Sequence, residues 1–121
     1  MTNDASFEID ASFEIRDSEQ PGVPVLNVRG EIDVSTSPEL HELLTELISH
    51  APRLVIVNMT DVSFIDSTGL GVLAGAVRDV RGAGGEMRLV VTQPQIIKLL
   101  ELTGLDKVFD IVADMADAVN A

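Results

Sequence analysis

Asp66, Ser67 and Thr68 stand side by side in the stretch VSFIDSTGLGVLAGAV, residues 62–77. A carboxylate beside two hydroxyls, followed at once by Gly69, can cap a helix, attack a carbonyl, cradle a phosphate or accept one. Asp and Ser are preferred N-caps worth about 1 kcal/mol. A cap needs only one such residue, however, and Gly69, Gly71 and Gly75 each cost a helix about 0.5–1 kcal/mol relative to Ala. Capping alone leaves the surplus hydroxyl and these glycines without a purpose.

A nucleophilic serine fits poorly. The nucleophile elbow wants Gly two residues before the Ser as well as two after, and Ile65 holds the earlier place. The two histidines, His41 and His50, lie upstream on another helix, and no Lys adjoins Ser67 to act as its base. A nucleotide loop of the Gly-x4-Gly-Lys-Ser/Thr kind is absent, since the first lysine of the chain is Lys98. A helix start can still hold a small anion without lysine, against repulsion from Asp66 and a nearby Asp33. That reading stays open beside capping.

The remaining chemistry is modification of Ser67, or less favourably Thr68, by another protein. A phosphate at the first helical position gains about 0.3–1 kcal/mol from the helix dipole and adds about −1.5 to −2 charge. A neighbouring carboxylate opposes it, because two unit charges 4 Å apart repel by about 1 kcal/mol in water. Inside the fold these effects nearly cancel. At a tight interface the new charge must also be desolvated, and a few kcal/mol there changes affinity by a factor of about 10 to 1,000. The position suits a binding switch. Beside it, Gly71, Gly75, Arg78 and Gly82 fall at helical spacing opposite an apolar stripe. Such a smooth strip serves either close packing within the fold or docking of a partner.

The elements that must hold this stretch can be read from periodicity. SFEIRDS alternates into a turn at EQPGVP, and VPVLNVRGEI follows as a strand, so residues 12–30 form an antiparallel hairpin. STSPELHELLTELISH is a helix, capped by Thr36 or Ser37, with Pro38 in its first turn and Leu40, Leu43, Leu44 and Leu47 on one face. RLVIVNM, residues 53–59, and MRLVV, 87–91, are continuous apolar runs of the kind covered on both faces. Between them a helix over 68–82 buries Leu70, Leu73, Val77 and Val80. QPQIIKLLELTG is a third helix stopped by Gly104, KVFDIV a last strand and ADMADAVNA a terminal helix. The order β-β-α-β-α-β-α-β-α predicts one α/β domain: a mostly parallel open sheet with an N-terminal antiparallel hairpin, flanked by about four helices. Residues 11–121 make that domain. Residues 1–10 are expected to be a flexible segment, because ASFEID at 5–10 is repeated as ASFEIR at 11–16 and one copy suffices for the strand.

Composition narrows the partners. The 121 residues carry 20 acidic and 8 basic side chains, a net charge of −12, with no Cys, Tyr or Trp. Residues 1–20 hold six acids to one base and residues 101–121 five to one, so the centre is nearly neutral. Nucleic acid is not an expected partner, since phosphate backbones need clustered Lys and Arg. A basic protein surface is the better complement. No cofactor or metal is expected, and the absence of Cys rules out zinc sites of the thiolate kind. The first residues have no basic region or long apolar run of a signal peptide, and no window reaches the roughly 20 apolar residues of a membrane span. A cytoplasmic protein, monomeric or weakly dimeric, is expected.

Three segments together resemble the anti-anti-sigma factors, or anti-sigma factor antagonists, of the STAS domain family. VSFIDSTGLGVL is similar to the family's phosphorylation motif, VRGEIDVSTSPEL to its strand entering the first helix, and TGLDKVFDIVADMADAV to its C-terminal segment. The resemblance covers about residues 12–119 in family order. It implies partner switching by a protein that is not an enzyme. The unphosphorylated form would bind an anti-sigma factor that is also a serine kinase and so free a sigma factor. Phosphorylation at Ser67 would end binding, and a metal-dependent serine phosphatase would restore it. It implies a partner surface containing Asp33, Asp66, Ser67 and Thr68, which the glycines at 69, 71 and 75 and Arg78 extend. Asn58 departs from the Asp of many relatives, and Thr68 from their Ser. STAS domains also serve as scaffolds or regulatory subunits in stress-sensing, anion-transport and lipid-transport assemblies, which is the alternative role.

Overall fold

Strand pairing follows chain order. The computed structural model describes residues 11–119, so the expectation for residues 1–10 lies outside the described residues. β1 (Ala11–Asp17), β2 (Pro24–Ile32), β3 (Leu54–Ile65), β4 (Glu86–Val90) and β5 (Asp110–Val112) form one sheet in the order β1-β2-β3-β4-β5. β1 and β2 are antiparallel, with Phe13 opposite Val28, and the other three pairings are parallel. The connecting helices are α1 (Ser37–Ile48), α2 (Ser67–Gly82) and α3 (Pro94–Thr103), and α4 (Met115–Val119) closes the described chain.

A sheet that grows in one direction with crossovers of one hand sends its helices to one face. The core shows this. Leu40, Leu44 and Leu47 of α1, Leu70, Leu73, Val77 and Val80 of α2, and Ile96 and Leu100 of α3 pack with Val55, Val57 and Leu89 of the sheet. The opposite face holds a smaller cluster, Val25, Ile56 and Val90 beneath Ala118 of α4. Continuous apolar runs in β3 and β4 follow from this cover on both sides. No helix among the described residues is long and apolar enough to cross a membrane.

Two expected boundaries shift, and one expected cap is not made. The third strand was expected to end at Met59, but it continues through TDVSFI to Ile65. Its pairing with β2 passes two irregularities, between Asn27/Arg29 and Gly30/Glu31, where β3 inserts extra residues. Such bulges break the alternation on which a strand is recognised. The last strand was expected from Lys107, but Leu105–Lys107 form a 3-10 turn whose Leu105 carbonyl takes the amides of Val108 and Phe109. Neither Thr36 nor Ser37 caps α1 with its side chain. The first amide of α1, that of Ser37, goes instead to the Asp33 backbone carbonyl at 2.8 Å. Gly104, at φ +78°, ends α3 in the left-handed conformation its expected role as a stop requires.

Candidate functional site

Two parallel strands deliver their ends to the same edge. β2 stops at Ile32 and β3 at Ile65, and the Asp66 amide donates to the Ile32 carbonyl at 3.0 Å. Asp33 and Asp66 therefore emerge as neighbours at the carboxyl edge of the sheet, the place where open α/β sheets gather functional groups.

Asp66 is in extended conformation and occupies the N-cap of α2. Its Oδ1 accepts the Thr68 amide at 3.0 Å, the Gly69 amide at 3.2 Å and the Thr68 hydroxyl at 2.5 Å. These bonds, the Thr68 hydroxyl foremost, hold its pKa below the ordinary value of 3.8 against partial desolvation and the field of Asp33. Ser67 is then the first helical residue and is exposed. Among the described residues its hydroxyl makes no hydrogen bond. Capping and a free hydroxyl thus coexist, because Asp66 caps and Ser67 does not. Thr68 is exposed as well, but its hydroxyl is spent on Asp66.

Asp33 makes a similar set of bonds in the turn that leads into α1. Its Oδ1 accepts the Ser35 hydroxyl at 2.7 Å, the Ser35 amide at 3.0 Å and the Thr36 amide at 3.2 Å. Its pKa is also lowered, chiefly by the Ser35 hydroxyl. The Thr36 hydroxyl faces back toward β2, donating to the Glu31 carbonyl at 2.8 Å and accepting the Asp33 amide at 2.9 Å. A hydroxyl so occupied cannot cap its own helix.

The glycines divide into two kinds. Gly69 is buried, and a Cβ there would lie 2.5 Å from Ile32 Cγ2 and 2.9 Å from Ile65 Cγ1. It was expected on the partner surface, but its smallness lets α2 approach the ends of β2 and β3. A Cβ at Gly71 or Gly82 would meet nothing within 4 Å, and one at Gly75 only the Arg78 guanidinium at 3.7 Å. Close packing therefore explains Gly69 and does not explain Gly71, Gly75 or Gly82. Gly71, Gly75 and Arg78 line one wall of an open groove of about 410 Å³, with His41 and Thr45 of α1 on the other.

Sequence reasoning missed two apolar groups at this edge. Val34 is 71% exposed directly after Asp33, and Phe64 is 49% exposed two residues before Asp66. The irregular pairing around Val62 and Phe64 resets the inward–outward alternation, so periodicity carried no signal for Phe64.

Residues 14–118 match the family model described as the STAS domain. An anti-sigma-B factor antagonist of Bacillus subtilis is 41% identical over 95 residues, covering 78% of this chain and 86% of that protein. One from Staphylococcus aureus is 39% identical over 80 residues, covering 66% and 74%. Among solved structures, an anti-sigma factor antagonist from Mycobacterium paratuberculosis superposes with a TM-score of 0.82 at 29% identity, over 90% of this chain and 91% of that one.

Proposed function

We infer that this chain, which belongs to the STAS domain family, is an anti-sigma factor antagonist switched by phosphorylation of Ser67. In the unphosphorylated state it binds an anti-sigma factor that is also a serine kinase, and the sigma factor held by that protein is released. The observation that carries this reading is the pairing of one free hydroxyl with one engaged hydroxyl. Ser67 is exposed at the start of α2, while the Thr68 hydroxyl is donated to Asp66. A kinase meets one unencumbered acceptor in a rigidly capped turn.

The surface that the partner reads combines Asp33, Asp66, Ser67 and Thr68 at the sheet edge with Gly71, Gly75 and Arg78 along the groove. Gly69 supports it from beneath. ATP and the transfer chemistry belong to the kinase, and this chain supplies the oxygen. The added phosphate gains from the helix dipole and is opposed by two ionised carboxylates, so the domain stays folded. At the interface the same charge must be desolvated beside Asp33 and Asp66 with nothing local to compensate it, and the complex dissociates. A metal-dependent serine phosphatase returns the protein to its binding form.

The test is mass spectrometry of the intact protein and its peptides after incubation with ATP and the host's candidate anti-sigma kinases. One phosphate on the Ser67 peptide, with loss of the complex on a sizing column, is expected. Ser67→Ala should bind and resist modification, and Ser67→Asp should fold and fail to bind. A stable complex that never transfers phosphate would make the chain a scaffold instead. Phosphate appearing on Ser67→Ala would move the acceptor elsewhere.

A further inference from the structure

β3 outruns its neighbour. Its pairing with β4 ends at Asn58 opposite Val90, yet the strand continues seven residues to Ile65, paired there with β2 alone. Carbonyl groups on the far side of a bulged, single-sided strand need other donors. One side chain supplies them. The two N–H groups on Nε2 of Gln93 are shared among three carbonyls, those of Met59 at 2.7 Å, Thr60 at 3.2 Å and Val62. Its Oε1 accepts the Thr92 amide at 3.0 Å, so the carboxamide is fixed at both ends. The backbone of Gln93 is anchored in turn, because its carbonyl takes the Ile96 and Ile97 amides as α3 begins.

We propose that Gln93 is a positioning residue for the Ser67 switch. Its amide takes the place of a missing β4 partner and clamps the irregular part of β3 to the start of α3. That sets the direction in which the strand delivers Phe64, Asp66 and Ser67. The other tie on this turn is the Asp66 amide on the Ile32 carbonyl, which fixes it toward β2 only. A carboxamide is suited to the task because its nitrogen carries two N–H groups. The proposal rests on Ser67 being the phosphate acceptor, but its structural half can be tested without a kinase.

The first measurement is amide hydrogen exchange by NMR on the full chain, wild type against Gln93→Ala and Gln93→Glu. The second variant is nearly isosteric and turns a carboxylate on the three carbonyls. Exchange at Ile65 and Asp66 should accelerate at least about tenfold in both variants, while Val55–Val57 stay as protected as in wild type. Unchanged exchange at Ile65 and Asp66, or equal acceleration along the whole strand, overturns the proposal.

The second measurement is phosphate transfer. Gln93→Ala should lose about tenfold in kcat/KM with the anti-sigma kinase. Leu100→Ala, which loosens the same helix from its buried side, should keep wild-type transfer at a temperature where both variants are folded. A Gln93→Ala protein phosphorylated at the wild-type rate sinks the inference alone. If the wild-type chain takes no phosphate, the Ser67 reading fails, and the exchange data still decide whether Gln93 holds the strand end.

Discussion

Asp66 does two things with one oxygen: it closes the first turn of α2 and it fixes the Thr68 hydroxyl in a hydrogen bond. Its ionisation state decides whether either holds. Hydrogen bonds donated to the carboxylate place its folded pKa below the ordinary 3.8. The unfolded chain therefore takes up a proton first as pH falls. The stabilisation is fully present above about 3.8 and is lost as pH drops through the lower folded value. Between pH 8 and pH 5 the cap should not change at all. We expect an NMR titration of the Asp66 carboxyl to show a midpoint below 3.8, with the Thr68 amide shift following the same curve. A midpoint at or above 3.8 would mean that the cap does not form in solution. Because both Asp66 and Asp33 stay ionised at any physiological pH, a phosphate on Ser67 would join two existing negative charges, and the proposed switch should carry no pH dependence from its own carboxylates.

The α2 helix shows stability and recognition pulling in different directions along a few turns. Gly69 is required by packing, and Gly69→Ala should cost about 1–3 kcal/mol by forcing a methyl against Ile32 and Ile65. Gly71 faces open space, so Gly71→Ala should stabilise the domain by about 0.5–1 kcal/mol, the ordinary gain of Ala over Gly in a helix. The same added methyl would roughen the groove wall and weaken kinase binding at least about tenfold. Urea denaturation checks the first effect and titration calorimetry the second. A stabilised variant with unchanged affinity would remove the groove from the interface. The helical stripe of α2, from Leu70 to Val80, was legible in the sequence because its period matches the helix. The strand before it was not legible beyond Met59. Its last six residues are bulged and single-sided, and their support comes from Gln93, which in the sequence looks like no more than the start of α3. Which glycine serves packing and which serves the surface was equally hidden, since spacing places all of them on α2 without saying what lies opposite.

Across the whole molecule, charge makes the approach and the contact distinct events. The site edge carries Asp33 and Asp66, and α1, one wall of the groove, exposes Glu39, Glu42 and Glu46, while Arg78 is the cation on the facing wall. A basic partner would be drawn to this side from a distance. The screening length shrinks from about 10 Å at 0.1 M salt to about 3 Å at 1 M. The association rate constant should therefore fall about tenfold or more over that range, with dissociation changing less. Ser67→Asp then separates the two stages. Its extra negative charge strengthens the long-range attraction, so association should be no slower than for wild type. The binding loss should appear as faster dissociation, where a charge must be buried beside Asp66. Stopped-flow kinetics on wild type and Ser67→Asp reads both constants. If association collapses while dissociation holds, the partner presents negative charge to this edge, and the switch works by repulsion at a distance rather than by an uncompensated charge at the contact.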